Sequence, residues 1–454
     1  MKNFEILVIG GGPAGITIAK ILGRKKRVGV IRPEDNSMIY CAMPYVLEGL
    51  IPIEKTFKKD ELITDAGANL IRDKVVSVSF DNKIVVLENG EEYQYDKLII
   101  ATGADPVIPA IENIDLKGIY TFKTQEDLKE IYQAVEQKAI KRTVIVGAGA
   151  IGIELAQALN QSKIECHLVD MAGSILPSSI DIDISKEIQD EIRHLGINLH
   201  LNSKVCALSG ADTIENASLN NGENISLGNS GAIVFAIGMQ ANTELFKCTP
   251  LNIGEQGIVV NNKMETNIKD VYAVGDCVQF ISGITGEPVF GKLATNAVPM
   301  ARMLSKNLLG DDRIYKGFYN GVATKVGKYF VGATGLTEAL AKNRFDIVTG
   351  YSELTTTFPI MPNAKMAKMK LITDKKSLKI LGGQVVSEIP VTDKVDIITL
   401  AIQADLTVKD LTSLSYSAQP YQSFFPANNL VVACAEEILV KLKNKLKEDK
   451  CCAL

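Results

Sequence analysis

Two short glycine-rich segments constrain the fold of this chain more than any other feature. The first, Gly10 to Gly15, follows the apolar run Phe4 to Ile9 and precedes ITIAKIL, which has helical periodicity. The second, Gly147 to Gly152, follows TVIV and precedes IELAQAL. Each is G-x-G-x-x-G between a strand pattern and a helix pattern, which predicts a dinucleotide-binding α/β unit.

In such a turn the glycines let the backbone approach a pyrophosphate, and the following helix offers N–H groups and the positive end of its dipole. In the first turn we expect these contacts from Gly10, Gly12, Pro13, Ala14 and Gly15. In the second turn we expect them from Gly147, Gly149, Ile151 and Gly152. Two such units in one chain indicate two nucleotide cofactors, with electron transfer from one to the other.

The strand after each turn is expected to end in an acid that binds ribose hydroxyls. In the second unit this is Asp170, 23 residues after Gly147, which matches the usual spacing of about 20. No Arg or Lys directly follows Asp170, so we expect NADH to bind in preference to NADPH. In the first unit Arg32 and Pro33 occupy this place, and Glu34 is the predicted substitute.

The segment SMIYCAMPYVLE, residues 37–48, contains Cys41, and the next cysteine along the chain is Cys166. Pro44 is compatible with a helix that starts around Cys41 or Ala42. A helix N-terminus at the sulfur would lower the pKa of the thiol. The segment alone leaves two interpretations, a redox-active thiol or a buried structural cysteine.

Other strand ends are candidates for cofactor contact. The strand predicted over residues 95–100 ends in small residues, Thr102 and Gly103, which allow close approach. A strand over residues 232–237 ends at Gly238, and a strand over residues 270–276 brings Asp276 to its C-terminal end. Asp276 either contacts a cofactor or caps the helix that starts near Leu293.

Two residues of the second unit have alternative interpretations. Glu154, at the start of its helix, either positions a nicotinamide ring or is an exposed helix charge. His167 lies inside an apolar strand, so a structural histidine is the favoured interpretation and a catalytic one is the alternative.

Composition bounds the class of protein. The 454 residues predict two to four domains, and a formal net charge of −4 without a basic run gives no case for nucleic acid. There is no signal-peptide pattern and no apolar run long enough to span a membrane. Eight scattered cysteines without metal-ligand spacing favour a cytoplasmic protein with reduced thiols and no metal site. The terminal CCAL fits a prenylation box, and a frayed tail is the preferred interpretation.

From Gly321 onward the pattern changes to antiparallel strands, then a helix over residues 392–404 and a closing helix from Asn429. This region has no nucleotide signal, which indicates an assembly domain. The expected division is a first nucleotide domain over residues 1–113 and 250–320, a second over residues 114–249, and the assembly domain over residues 321–454.

The ordered set GGGPAG, CAMPY, ATGA, GAGAIGIE, VYAVGD and ATGLTE resembles the single-cysteine branch of the pyridine nucleotide–disulfide oxidoreductases. That branch includes coenzyme A disulfide reductases, persulfide reductases, NADH oxidases and NADH peroxidases. The resemblance implies an α/β fold with two Rossmann-like domains and a C-terminal α+β dimerisation domain. It also implies FAD on the first domain with Asp276 on its ribitol chain, NAD(P)H on the second, a homodimer, and Cys41 as the redox cysteine.

Within the branch, the first glycine turn lacks the histidine of oxidases and peroxidases, and CAMPY is similar to the CALPY of coenzyme A disulfide reductases. The resemblance implies that Tyr416, in LSYSAQPY, reaches the active site of the partner subunit, and that Arg24 and Ser37 contact coenzyme A phosphates. Two features weaken coenzyme A as the substrate. Ile360 and Met361 stand where a second tyrosine is expected, and positions 427 and 428 lack a basic residue.

The expected function is transfer of electrons from NADH through FAD and Cys41 to a small disulfide or persulfide. The alternatives are an NADH oxidase and a flavin-linked reductase of a small redox protein.

Overall fold

The computed structural model describes residues 2–292, 294–423 and 428–452, without the side chains of residues 294 and 446–452. The chain forms two compact units. The first contains residues 1–108, 121–132 and 237–318, and the second contains residues 109–120, 133–236 and 319–454. Among the described residues, no helix combines the length and the apolar composition that a membrane span requires.

The first unit is built on a seven-stranded sheet whose central pairs are parallel. In spatial order its strands are Asn69–Ile71, Val28–Ile31, Lys2–Ile9, Glu92–Ile100, Ile84–Leu87 and Val75–Ser79, with Val271–Ala273 also paired to Glu92–Ile100. The short antiparallel pairs are Ser37–Met38 with Phe57–Lys58, Ala104–Pro106 with Met239–Ala241, Ile253–Gly254 with Gly257–Ile258, and Phe280–Ile281 with Pro288–Val289. Its helices include Pro13–Leu22, Met43–Leu47, Glu61–Thr64 and Ala294–Asn307, and Gln125–Glu136 begins in it.

The apolar run that the sequence predicts as the first strand is buried because it forms the centre of this sheet. Leu7, Ile18 and Ile99 have no exposed surface and pack in one hydrophobic cluster. Parallel strands that are covered on both faces are expected to be this apolar. The register brings Ile9 beside Ile31 and Ile100, so the three strands end together next to the first glycine turn.

The second unit contains a second, mainly parallel sheet. In spatial order its strands are Ile119–Thr121, Gly231–Phe235, Arg142–Val146, Glu165–Val169 and Asn198–His200. Helices Ala150–Gln161 and Ile182–His194 accompany it, and Val205–Ser209, Asn216–Leu219 and Asn224–Ser226 form an antiparallel sheet.

The C-terminal part of the second unit is an antiparallel five-stranded sheet with helices. The strand order is Val322–Val326, Tyr329–Gly335, Ile380–Ser387, Met366–Asp374 and Ile347–Thr355. The helices are Glu338–Lys342, Thr392–Gln403, Val408–Thr412 and Leu430–Cys452. The closing helix begins one residue after Asn429, whose side chain accepts hydrogen bonds from the N–H groups of Val431 and Val432. The predicted α/β fold class with an α+β C-terminal region is confirmed.

Two predicted strands are shorter in the structure. The strand expected to reach Ile237 ends at Phe235, although the Ala236 N–H still donates to the carbonyl oxygen of Val146 at 2.8 Å. The strand expected over residues 270–276 covers only Val271–Ala273, and Asp276 lies beyond its end. It begins at Val271 because Asp270 has a φ of +64° and its carboxylate binds Lys83 and Lys97. These hydrogen bonds lower the pKa of Asp270 to about 2.

A buried lysine links helix Ile182–His194 to the C-terminal sheet. Lys370 is 2% exposed, and its ammonium lies 2.6 to 3.1 Å from the carboxylates of Glu338, Asp183 and Asp181. Burial alone would lower the pKa of Lys370, but hydrogen bonds to these carboxylates outweigh it and raise the pKa. A charge buried in this way is stable only because its partners neutralise it.

His167 lies in a four-residue chain of hydrogen bonds on the second sheet. Its Nδ1 lies 3.0 Å from Nε2 of His200, and the outer nitrogens of the two rings lie 3.3 Å from Glu165 and Glu223. In this hydrogen bond one of the two facing nitrogens donates and the other accepts. Nδ1 of His167 and Nε2 of His200 therefore cannot both carry a proton. Burial lowers the pKa of His167, which outweighs the opposing effect of Glu165.

We therefore expect His167 to make the free energy of unfolding depend on pH. Its pKa is lower in the folded than in the unfolded chain, where it is about 6.5. As the pH falls, the unfolded chain therefore binds the proton first. The contribution of neutral His167 to the free energy of unfolding is complete above the pKa of the unfolded state and is lost as the pH falls through the pKa of the folded state. Urea unfolding between pH 7.5 and 5 should show a shallower pH dependence in His167→Asn than in the wild type. The exposed His194→Asn is the matched control, and equal slopes in His167→Asn and wild type would refute the assignment.

Candidate active site

The first glycine turn joins strand Lys2–Ile9 to helix Pro13–Leu22 and excludes side chains at two positions. Gly10 has a φ of +117°, and a Cβ atom there would collide with the carbonyl group of Ala101. A Cβ atom at Gly15 would collide with the carbonyl group of Gly10. These contacts bring the turn against the end of strand Glu92–Ile100, as close helix–strand packing requires.

The same turn leaves space where a pyrophosphate is expected. Among the described residues, no atom lies within 4 Å of a Cβ built at Gly12, and no side chain caps the helix there. Pro13 and Ala14 form the first helical positions, and Pro13 has no N–H to leave unpaired. The helix N-terminus can therefore offer its N–H groups and its dipole to an anion.

The second turn repeats this geometry. Gly147 has a φ of +112°, and a Cβ atom at Gly152 would collide with the carbonyl group of Gly147. Gly149 is the helix N-cap, and within the described chain nothing lies within 4 Å of a Cβ built there. Ile151, in the first turn of helix Ala150–Gln161, is 44% exposed. Both units thus keep one open glycine at the start of a helix.

Asp170 is held beside the second turn. Its two carboxylate oxygens accept hydrogen bonds from the N–H groups of Ala148, at 2.6 Å, and Ala172, at 2.8 Å. The next residue, Met171, is 69% exposed. The acid predicted for ribose binding therefore lies at the turn, and no cation directly follows it in the chain.

The equivalent position in the first unit is occupied by Arg32. This side chain is buried and binds the carbonyl oxygens of Glu34 and Asp35 and the carboxylate of Asp60, at 2.7 to 2.8 Å. It thereby fixes the loop that follows strand Val28–Ile31. The Glu34 residue is exposed two residues beyond this arginine, and its role in ribose binding stays a prediction.

Thr102, Gly103 and Gly238, which follow predicted strands, belong to the first unit and lie in segments joined by hydrogen bonds. Thr102 donates its hydroxyl to the carbonyl oxygen of Asn242 at 2.7 Å, and Gly103 accepts the N–H of Asn242 at 2.9 Å. Gly238 has a φ of +114° and accepts the N–H of Val107. These bonds join the two crossover segments that leave and re-enter the first unit.

Asp276 has a buried carboxylate oxygen that, among the described residues, has no hydrogen-bond partner. Burial raises the pKa of Asp276, against the opposing charges of Lys123 and Lys292. An unpartnered buried acceptor is costly unless a bound group supplies a donor. The carboxylate is thus suited to bind a ligand hydroxyl, as expected for a ribitol chain. The alternative role as a cap for a helix near Leu293 falls on a residue outside those described.

Lys123 is a candidate site residue that sequence reasoning missed. Burial lowers the pKa of Lys123, while the carboxylates of Asp276 and Asp105 oppose this effect. Its Nζ lies 4.0 Å from the centre of the Tyr40 ring, next to Cys41 in the chain. Its burial depends on residues distant in sequence, and no local pattern distinguishes it from a surface lysine.

Cys41 lies in an exposed helical turn. A two-residue ladder joins Ser37–Met38 to Phe57–Lys58, a 3₁₀ turn covers Tyr40–Ala42, and helix Met43–Leu47 follows with Pro44 in its first turn. The predicted helix start is therefore displaced to Met43, with Ala42 as its N-cap. This helix has only five residues, so it is a weak source of dipole stabilisation for the sulfur.

The other cysteines with described side chains are less suited to redox chemistry or lie elsewhere in the chain. Burial raises the pKa of Cys166 and Cys434 to about 12, and it also raises the pKa of Cys277. Cys206 and Cys248 are exposed and free. Among these cysteines, only Cys41 is both exposed and located in the segment directly after the second strand of a nucleotide-binding unit, so it is the best candidate nucleophile.

The proposed substrate contacts lie on either side of this segment. Ser37 is 4% exposed, and in the described part of the chain its hydroxyl has no hydrogen-bond partner. Arg24 is exposed after helix Pro13–Leu22 and donates to the carbonyl oxygen of Asp65 at 3.0 Å. Neither placement tests the predicted contact with coenzyme A phosphates.

Two further candidates belong to the second unit. Glu154 accepts a hydrogen bond from the hydroxyl of Thr324 at 2.6 Å, so it is more than a free charge on the helix surface. Tyr416 is half-buried in the loop after helix Val408–Thr412, and its role across a subunit interface stays a prediction. The sequence has no basic residue at positions 427 and 428. Position 427 lies outside the described residues, and Asn428 is described.

Family models match most of the chain. Residues 4–301 match the pyridine nucleotide-disulphide oxidoreductase model, and residues 323–424 match the dimerisation domain of the same family. An "NADH oxidase" of Methanocaldococcus jannaschii is 31% identical over 97% of this chain and 99% of its own length. A CoA-dependent "NAD(P)H sulfur oxidoreductase" of Pyrococcus abyssi is 30% identical over 91% of this chain and 94% of its own.

Two solved structures are similar to nearly the whole of this chain. A reduced CoADR-RHD of Bacillus anthracis has a TM-score of 0.92 and 27% identity, and covers 98% of this chain and 81% of that one. A NAD-dependent persulfide reductase from A. fulgidus also has a TM-score of 0.92 and 27% identity, and covers 97% of this chain and 84% of that one. Together with the two glycine turns and the C-terminal sheet, these matches show that the chain belongs to the pyridine nucleotide-disulphide oxidoreductase family.

Proposed function

We propose that this chain is an FAD-dependent oxidoreductase that passes electrons from NADH, through Cys41, to a small disulfide or persulfide. The observation that carries the proposal is a single exposed thiol on the turn that follows the first nucleotide unit. No second cysteine occurs in that segment, so the sulfur must pair with the substrate and not with a neighbouring thiol.

The first unit has the features that FAD requires. Gly10, Gly12, Pro13, Ala14 and Gly15 would form the pyrophosphate turn, and Asp276 would bind the ribitol chain. Thr102, Gly103 and Gly238 provide close backbone approach, and Glu34 is the candidate for the ribose. When bound, FAD would take up a hydride from NADH and supply two electrons to a sulfur centre.

The second unit binds NADH. Gly147, Gly149, Ile151 and Gly152 surround the pyrophosphate, Asp170 binds the adenosine ribose, and Glu154 positions the nicotinamide end. A 2′-phosphate would be repelled by the Asp170 carboxylate, and the residue after it, Met171, supplies no compensating charge. NADH is therefore the preferred donor over NADPH.

The chemistry at Cys41 is a cycle between a thiolate and a mixed disulfide. The thiolate attacks one sulfur of the substrate S–S bond, a new S–S bond forms at Cys41, and the other sulfur leaves and takes up a proton. Two electrons then break the Cys41 mixed disulfide, which restores the thiolate and releases the second thiol with a proton. Tyr416, contributed across a homodimer interface, donates a proton to the leaving sulfur.

The names of similar proteins support a sulfur acceptor. Relatives in Pyrococcus are named CoA-dependent sulfur oxidoreductases or coenzyme A polysulfide/persulfide reductases. Coenzyme A derivatives are therefore the first substrates to test, with Arg24 and Ser37 in contact with the phosphates.

The proposed protein works in the cytoplasm as a homodimer that residues 321–454 form. Its first nucleotide domain covers residues 1–113 and 250–320, and its second covers residues 114–249.

The alternative function is NADH oxidation by oxygen. Its support is the NADH oxidase name of the Methanocaldococcus jannaschii relative and of several others. Against it, the first glycine turn contains Pro13 and Ala14 and no histidine to assist oxygen chemistry. A reductase of a small redox protein remains the second alternative, and Cys41 would be dispensable to it.

Replacement of Cys41 should separate these functions. In FAD-loaded Cys41→Ser we expect turnover with coenzyme A disulfide or persulfide to fall by about three orders of magnitude, because the nucleophile is lost. The exposed Cys206→Ser is the matched control and should keep wild-type turnover. Steady-state NADH oxidation with each acceptor measures the effect. Undiminished disulfide and persulfide turnover in Cys41→Ser would refute the proposal, and fast turnover with oxygen alone in the wild type would favour an oxidase.

Replacement of Asp170 should change the nucleotide preference. Asp170→Asn keeps the size of the side chain but removes the charge that disfavours a 2′-phosphate. We expect KM for NADH to rise by about 10-fold, because a charged hydrogen bond contributes about 1.5–3 kcal/mol, and the preference for NADH over NADPH to shrink. Initial rates with both nucleotides measure this, with the exposed Asp212→Asn as the control. An unchanged ratio of the two kcat/KM values would contradict the assignment of Asp170 to the ribose.

A further inference from the structure

Asn296 has a buried amide nitrogen that, among the described residues, has no hydrogen-bond partner. The residue is half-buried and lies in helix Ala294–Asn307 of the first unit. Its amide oxygen is already bonded, because the hydroxyl of Tyr315 donates to Oδ1 at 3.3 Å. A buried donor without an acceptor costs free energy, and such groups in folded proteins usually meet a partner. The amide nitrogen is therefore suited to donate to a bound acceptor.

This amide differs from the other buried donors that lack a partner in the described part of the chain. The others are hydroxyl groups, on Ser37, Tyr95, Thr143, Thr357 and Thr373. A hydroxyl proton rotates to suit its surroundings, whereas the N–H groups of an amide have directions fixed by its plane. Because Tyr315 holds the amide oxygen, the protein itself orients the donor of Asn296.

Asn296 lies near Asp276, whose carboxylate oxygen also lacks a partner among the described residues, because the chain neighbours of the two residues touch. A Cβ atom built at Gly275 would lie 3.4 Å from the Cβ of Ala297 and 3.6 Å from the Cβ of Ala14. Gly275 directly precedes Asp276, and Ala297 directly follows Asn296. Ala14 is the second residue of the helix that starts at the first glycine turn. An unpartnered donor and an unpartnered acceptor are thus brought to the same turn.

We propose that Asn296 is a further cofactor-binding residue of the first unit, which donates its amide N–H to an oxygen of the bound dinucleotide beside Asp276. The ribitol chain and the diphosphate of FAD present hydroxyl groups and anionic oxygens. The hydroxyl groups match the carboxylate of Asp276, and the oxygens match the amide N–H of Asn296. The inference rests on the proposed binding of FAD to this unit. It adds a side-chain contact from helix Ala294–Asn307, outside the glycine turn.

The test is the affinity of the full-length protein for FAD, measured as Kd by titration of the FAD-free protein with flavin fluorescence as the signal. In Asn296→Ala we expect Kd to rise by about 10-fold, because one hydrogen bond to the cofactor is lost. In Asn296→Asp we expect a larger rise, because a carboxylate of the same size accepts where the amide donates and repels anionic oxygens. The exposed Asn252→Ala is the matched control and should keep the wild-type Kd.

Asn296→Asp also provides the test if Asn296→Ala does not fold. A Kd equal to that of the wild type in both variants would overturn the inference, and so would an equal rise in Asn252→Ala. The proposed function is tested separately by the wild type and by Asp276→Asn. A wild type that does not bind FAD would refute the proposed function together with this inference. Weaker binding in Asp276→Asn with unchanged binding in the Asn296 variants would refute this inference alone.

Discussion

The nucleotide sites of this chain depend on backbone contacts that admit no side chain. Gly10 touches the carbonyl group of Ala101, and Gly15 and Gly152 touch the carbonyl groups that begin their own turns. These contacts force each helix to start directly at the end of a parallel strand. One glycine per turn, Gly12 or Gly149, then remains next to open space where the helix N–H groups can meet a phosphate.

The distribution of charge around the first unit follows from this arrangement. Three strands end beside the first glycine turn, and Asp276, Lys123 and Cys41 belong to the same unit. Asp276 and Lys123 are half-buried and only partly compensated by their neighbours: among the described residues one oxygen of Asp276 has no hydrogen-bond partner, and burial lowers the pKa of Lys123. A bound group with hydroxyls would supply the hydrogen-bond donor that the Asp276 oxygen lacks. The structure thus fits a redox enzyme whose first unit is completed by its ligand.

Much of this arrangement could be predicted from the sequence because it is local in the chain. The glycine turns, the acid 23 residues after Gly147 and the antiparallel pattern from Gly321 depend on neighbours within a few tens of residues. The environments of Lys123 and Lys370 could not be predicted, because each depends on residues distant in sequence that the fold brings together. The same holds for the pair of His167 and His200, whose strands are adjacent in the sheet but separated by a helix in the sequence.

In the proposed mechanism, Cys41 stores a pair of electrons in addition to the pair held by FAD. Anaerobic titration with NADH of FAD-loaded protein, first treated with coenzyme A disulfide and then freed of it, counts these electrons directly. We expect the wild type to consume about two equivalents of NADH per subunit and Cys41→Ser about one, because only the wild type carries a mixed disulfide to reduce. Equal consumption by the two proteins would contradict the account.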